Sequence, residues 1–479
     1  MNFIKIFALS LLMLFTVSSC DEALDINTNP LVASAADPNV VLPFVFVQYS
    51  NRHVTELGTR TMDVPQHFSA CFNSPRGGNT SSFLTGNTWN MFYTQVLGNL
   101  ELVEGDAEAA GPSNNNINAI AKVLKANSFF ELSCIWESVP FTEALDGATF
   151  PSPQFDNQET VFRGSVALLD EAIALIDAIP EASVNVSSGD LIYGGDMSLW
   201  RRYANSLKIR ILMMIRNRDT SVDSQLSAAF SQPVIESNGQ AALIRYFDTP
   251  AESNAYNRLV EAFFGIGNET QGVYAPGEPL YNLLSEAEDP RFNALILDPD
   301  GNGSPGNGNF LPFGAGEGAV IRENVIRNDI PHILLLPAEI SFYRAELTLA
   351  GALSGDAQAA FDTGMSQILS FWGGEIPGAQ VGISGGEIDA FIGGLPSLAS
   401  QGQDNALTAI HEQLYLESFL RPIVAWNTVR RTGVPTLETP PGTTISTFLK
   451  RFNYPPNEVA ANPNTPANLP TDTPMWFEN

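Results

Sequence analysis

The chain has 479 residues, enough for one large helical domain or two intimately packed ones. Lys and Arg total 24 against 52 Asp and Glu, a formal charge of -28, which excludes a nucleic-acid partner because such binding rests on phosphate neutralisation. Charged residues are only 16% of the chain, so much of the hydrogen bonding at its surface must come from neutral Asn, Ser, Thr and Gly, a composition that suits a sugar or peptide binder and many exported proteins alike.

In chain order, residues 1–19 read as a lipoprotein signal peptide. Lys5 lies at the start of a nearly unbroken apolar run from Ile4 to Val17, too short to span a bilayer, which takes about 20 apolar residues, but of signal-peptide size. Small residues then lead to Cys20 (Val17-Ser18-Ser19-Cys20), the expected lipidation site. A diacylglycerol and an amide-linked chain on that cysteine would hold the protein to a membrane, where one acyl chain alone would not. Residues 20–40 read as the lipidated terminus and an extended tether, and 41–479 as the domain.

Helical periodicity follows from Asn118 to Glu137, then most cleanly from Gln158 to Ile179, where Phe162, Val166, Leu169, Ile173 and Ile176 make one apolar stripe. Asp156 with Glu159 predicts a capping box there, and Pro180 a stop. Further helices are expected over Met197–Arg216, Ala338–Leu353, Ala357–Trp372 and Asn405–Phe419, with Pro422 opening the next. Between them lie long Gly-, Asn- and Pro-rich stretches at 71–88, 249–279, 298–319 and 373–403, read as loops; loops of that length commonly bind something. After Gly433 the chain reads as an irregular C-terminal wrap pinned by Trp476 and Phe477.

Catalytic patterns are missing from the sequence. His53, His67, His332 and His411 are far apart in the chain, and no HExxH, GxSxG or Walker pattern is present. The expectation is a protein that is not an enzyme and needs no cofactor; the alternative is a surface glycosidase, since among 52 Asp and Glu no pattern picks out or excludes a catalytic pair. Asp298, Asp300 and Asn302 match the opening of a calcium loop, but position 309, where the bidentate glutamate belongs, is Asn309. The segment reads first as a turn, with a structural calcium ion as the alternative. Cys71 and Cys134 could pair after export, although the apolar helical surroundings of Cys134 suit a buried thiol equally.

A sugar ring needs a flat apolar face and hydrogen-bond donors at its rim. The expected ligand-binding residues are therefore Phe72 and Phe83 with Asn73, Arg76 and Asn79, and Tyr256 and Tyr274 with Asn257. Trp89, Tyr93, Trp136, Trp200 and Trp426 lie in helical segments and are expected to pack in the core.

An ordered set of motifs then carries a resemblance. After Cys20-Asp21-Glu22 come Trp89-x-x-x-Tyr93, Trp136-Glu137-Ser138-Val139-Pro140, Pro153-x-Phe155-Asp156 and Asp190-Leu191-Ile192-Tyr193-Gly194-Gly195-Asp196. Asn205-x-x-x-x-Arg210, Asp289-Pro290-Arg291, Ala338-Glu339, Arg344-Ala345-Glu346, Arg430-Arg431-Thr432-Gly433 and Tyr454-Pro455 complete it. Over essentially the whole mature chain this resembles the SusD/RagB family of outer-membrane lipoproteins, in its SusD-like branch. The resemblance implies a mainly α fold, with a tetratricopeptide-like helix-pair scaffold, long irregular ligand-binding loops and few short strands. It also implies a cell-surface, lipid-anchored protein that captures oligosaccharides, or in some members peptides, and passes them to a TonB-dependent SusC-like transporter. Asn205, Arg210, Arg291, Arg430 and Arg431 read as structural partners, since guanidinium forks suit buried polar contacts.

Overall fold

The structure is a computed structural model in which residues 37–71, 73–249, 252–264, 268–304, 318–375, 382–439 and 443–478 are described. The expected signal peptide, Cys20, Phe72 and Asn309 lie outside these residues. Pro38–Asn479 clusters as one compact unit.

Helix α1 (Pro38–Arg52) opens that unit, so helix begins inside the expected tether. Next come α2 (Ser82–Asn90), which continues as a π-helical segment Met91–Leu97 into α3 (Gly98–Ala110), then α4 (Asn115–Trp136), α5 (Gln158–Asp177) and α6 (Met197–Arg216). Later in the chain stand α7 (Pro337–Leu349), α8 (Ala357–Ser370), α9 (Gln403–Glu417) and α10 (Pro422–Thr432). Helices adjacent in sequence pack together: α3 on α4, α4 on α5, α5 on α6, α7 on α8 and α9 on α10, with α9 also against α7. This is the expected helix-pair scaffold, in which each pair buries the stripe its neighbour leaves open.

The helix ends show why the chain breaks where it does. On α5, Phe162, Val166 and Leu169 of the predicted stripe are buried, Ile173 and Ile176 are half-buried against the core, and Val161 and Ala172 join the buried face. Its cap differs from expectation: Asn157 is the N-cap, its side chain accepting from the Thr160 amide at 2.9 Å. Asp156 instead turns back to accept the Phe141 and Thr142 amides at 3.2 and 2.8 Å. Asp196 caps α6, Pro422 starts α10 at its first turn, and Gly433 ends it at φ 70°, a conformation that favours glycine.

Three expected loops contain helix: α2 begins at Ser82, inside the 71–88 stretch. Within 249–279 lies Ala255–Phe264, and within 373–403 lies Gly385–Gly394, started by a capping box of Ser384 and Glu387. The glycines in the 373–403 stretch masked a helix set by its cap. Strands are few and short: β1 (Ala242–Ile244) pairs antiparallel with β4 (His332–Leu335), and β2 (Ile296–Leu297) with β3 (Val320–Ile321).

The residues that carry the resemblance hold these helices together. Arg210 of α6 reaches Glu339 of α7 through two hydrogen bonds, Nε to Oε1 at 2.6 Å and Nη2 to Oε2 at 2.7 Å, and Nη2 also meets the Leu334 carbonyl. Arg421, ahead of α10, donates to the same Glu339 and pairs with Glu417 of α9. Burial alone would raise the Glu339 pKa, but Arg210 and Arg421 outweigh it and hold the carboxylate ionised. Arg431 forks onto Glu346 at 2.7 and 2.8 Å. Arg291 holds Asp289, and Asn205 bonds the Ala229 and Pro233 carbonyls. Arg430 donates to the Cys134 carbonyl at 2.8 Å and lies 3.9 Å from the Trp426 ring centroid.

Cys71 and Cys134 are both buried free thiols. Two of the four histidines, distant in sequence, meet inside the fold: the His53 and His332 rings are 4.7 Å apart and tilted by 36°. The C-terminal wrap takes the expected form, with Phe477 fully buried and its carbonyl accepting from Asn217.

Candidate functional site

A cleft of about 970 Å³ lies where three segments meet. Its floor is the outward face of α2 and the π-helical segment after it. Phe83, Asn87, Asn90 and Thr94 line the cleft at successive helical turns, with Trp89 and Tyr93 beside them. The 140–153 loop forms one wall, through Pro140, Ala144, Leu145, Pro151 and Pro153. The segment 455–462 forms the other, through Pro455, Pro456, Asn457, Glu458 and Asn462. A π-helical turn re-aims side chains relative to an α-helix and is common at functional sites.

The walls are fixed by hydrogen bonds that leave little slack. Val139 and Asp156 exchange backbone hydrogen bonds at 3.1 and 3.0 Å, closing the neck of the 140–155 loop. Glu143 accepts the Gln154 amide at 2.8 Å within it. Phe141 packs over Gly164 of α5, where a Cβ would collide with its ring. The opposite wall is tied across: Asn462 donates to the Pro153 carbonyl at 3.0 Å and Asn464 to the Ser152 carbonyl at 2.8 Å.

Aromatic packing supports the floor. Trp89 is half-buried, edge-on to Trp136 at 5.0 Å, stacked over Phe155 at 6.1 Å and tilted against Tyr93 at 4.7 Å. Trp136 Nε1 is satisfied by the Asn453 carbonyl, and Tyr93 donates to the Pro140 carbonyl at 2.7 Å. Burial pushes the Tyr93 phenol well up, and Glu458, Tyr454 and Asp156 push it further, so it stays a neutral donor. Phe83 is 59% exposed, with the Arg60 guanidinium 5.3 Å from its ring centroid. Arg60 also pairs with Glu56, which accepts from Asn87 at 2.9 Å. The result is a rigid, partly apolar trough edged by amides, the geometry in which a sugar ring stacks and hydrogen-bonds at its rim.

A family model described as "Starch-binding associating with outer membrane", SusD-like_2, matches residues 46–455. The chain belongs to the SusD-like family. The SusD-like fold is equally plain in solved structures. That of a chitin-binding protein is 24% identical with a TM-score of 0.75, covering 89% of this chain and 94% of its own. A SusD homolog from Bacteroides uniformis is 20% identical with a TM-score of 0.73, covering 92% and 99%. One from Bacteroides fragilis is 20% identical with a TM-score of 0.70 over the same shares. No curated protein matches. Membership places the chain among outer-membrane-associated, nutrient-binding proteins. Among the described residues no helix is long and apolar enough to cross a membrane.

Of the expected ligand-binding residues that are described, the SusD-like structure brings only Phe83 into the cleft. Asn73 and Asn79 are exposed nearby in sequence but do not line it. Arg76 is buried, donating to the Ser69 carbonyl and facing Asp63 at 3.7 Å, so its guanidinium is spent inside the fold. Tyr256 and Tyr274 are corrected from surface platforms to core aromatics: both are buried, 5.7 Å apart, and both pack on Phe68. Asn257 lies on the same helix as Tyr256, with its side chain outside the described set. Asp298 accepts the Tyr281 hydroxyl and the Asn302 and Gly303 amides at 2.8, 3.0 and 3.0 Å, bonds that tie the 298–303 turn together. Among the described residues no cluster of three His, Cys, Asp or Glu could hold a metal ion.

Trp89 and Tyr93 line the cleft as well as packing, a role that periodicity alone does not reveal. The signal is present in the i, i+4, i+7, i+11 row of Phe83, Asn87, Asn90 and Thr94. On a core helix that row would be apolar throughout.

Proposed function

We propose that this chain is a non-catalytic, cell-surface lipoprotein, anchored through Cys20, that captures oligosaccharides in the α2 cleft. It would then deliver them to a TonB-dependent SusC-like transporter by opening over the barrel. The observation that carries this reading is the aromatic-floored, amide-edged cleft on a SusD-like fold. The chitin-binding protein that shares the fold supports a glycan as ligand. Among the residues lining the cleft, Glu458 is the single carboxylate, whereas glycoside hydrolysis takes two facing carboxyl groups. That supports binding without turnover.

Titration of the form lacking residues 1–20 with glycan and peptide libraries tests the ligand class. Oligosaccharide binding is the expected result, and binding of peptides alone would replace it. Affinity purification from membranes tests the partner: a large β-barrel transporter should copurify, and recovery without one contradicts the delivery role.

A further inference from the structure

The cleft is lined by aromatic rings, prolines and amides, and among its lining residues there is no lysine or arginine. The Arg60 guanidinium over Phe83, on the floor, is paired with Glu56 at 3.3 Å. Its charge is therefore compensated beside the floor. The acidic groups are better placed. Glu458 lines the wall, with Oε1 accepting from Asn462 at 3.2 Å, and it is half-buried rather than dissolved in bulk water. Behind the walls, Glu143 and Asp156 accept backbone amides of the same loop that shapes the cleft. The whole chain adds its charge of -28 around them.

We infer that the cleft selects uncharged or amine-bearing glycans and rejects uronate, sialylated and sulfated chains, with Glu458 as the discriminating residue. This rests on the carbohydrate reading of the same cleft and narrows it to a substrate class. Carboxylates and sulfates are held most strongly by guanidinium or ammonium partners; this cleft offers neutral donors and one carboxylate. A neutral ring loses nothing to that carboxylate, because its hydroxyl or acetamido N–H groups can donate to it. An anionic ring brings like charge into a partly desolvated trough, which weakens binding roughly tenfold. An ammonium on a deacetylated amino sugar gains from the same group.

The test compares ligands that differ in charge on one backbone, titrated against the form lacking residues 1–20. The pairs are oligogalacturonate and its methyl ester, maltoheptaose and its sulfated form, and chitohexaose and its deacetylated form. In each of the first two pairs that binds, the neutral member should bind about tenfold tighter than the anionic one at low salt. The gap should shrink in about 1 M salt. Glu458→Gln should narrow it too, because the like charge is removed from the wall. The deacetylated chitohexaose should bind at least as tightly as chitohexaose, and lose that advantage in Glu458→Gln. Equal or tighter binding of the anionic members overturns the charge selection and leaves the carbohydrate reading standing. Failure of every oligosaccharide to bind overturns both.

Discussion

Arg210 on α6 and Glu339 on α7 meet as a bidentate pair with 5% and 0% of their side chains exposed. The pair joins α6 to α7 across 129 residues of chain, and Arg421, just ahead of α10, donates to the same carboxylate. Truncating one partner leaves an uncompensated buried charge, which costs about 3–5 kcal/mol. Arg210→Met should therefore lower the denaturation midpoint sharply, and Glu339→Gln should do the same. A double variant, Arg210→Met with Glu339→Leu, should recover a large part of the loss. Equilibrium unfolding in urea reads all three. Additive losses in the double variant would show that the two residues do not act as a pair.

Tyr256 and Phe83 separate core from cleft. Tyr256 is buried with no hydrogen bond to its hydroxyl, and it lies so close to Gly58 that a Cβ there would collide with it. Tyr256→Ala should cost about 3–5 kcal/mol of stability, while Tyr256→Phe should be neutral or stabilising because an orphaned hydroxyl is removed. Phe83→Ala should leave stability within about 0.5 kcal/mol and weaken glycan binding. Thermal melts alongside titrations distinguish the two; a Tyr256→Phe variant that lost ligand affinity would contradict the assignment.

Asp63 gives a pH dependence with a defined sign. Burial raises its pKa from 3.8 to about 6, against the lowering influence of Arg76 and of the Ser74 hydroxyl bond at 2.7 Å. The folded state thus holds a proton that the unfolded chain releases. Its contribution to stability is fully present below about pH 4 and is lost as pH rises through about 6, on the order of 3 kcal/mol. Asp63→Asn removes that dependence. The difference between variant and parent in unfolding free energy should change across about pH 4–6 and level off above it; a constant difference would show that Asp63 titrates normally.

The anchor has its own test. Replacement of Cys20 by Ala should release the protein from membranes into the soluble fraction, and metabolic labelling with a fatty-acid analogue should mark the parent chain alone. Labelling of both forms would place the lipid elsewhere.

Much of the scaffold is legible in the sequence because periodicity and helix ends are local. Met197–Arg216 falls where its pattern places it, and Pro422 starts α10 as its position requires. The arginines of the resemblance motifs are legible as structural because a guanidinium fork beside helix termini has few other uses. The cleft is not, for two physical reasons. Aromatics near glycine and asparagine read as loop platforms, yet Tyr256 sits on a helix whose start, after Asn254, lies among turn residues. Conversely, Trp89 reads as a packing residue, and it does pack on Trp136, but its half-buried position also lines the trough. Which side chains share a wall depends on Pro153 and Asn462 meeting across 309 residues of chain, and no local pattern records that.

The central claim is that the α2 cleft holds the glycan. Isothermal titration of the form lacking residues 1–20, with the tightest oligosaccharide from the library, tests it when repeated on the Phe83→Ala/Asn90→Ala double variant. Both side chains face the cleft and Asn90 is exposed, so folding should be intact by thermal melt. The expected affinity is at least about tenfold weaker, from lost stacking and rim hydrogen bonding. Unchanged affinity in a folded double variant would place the ligand elsewhere on the protein and contradict it.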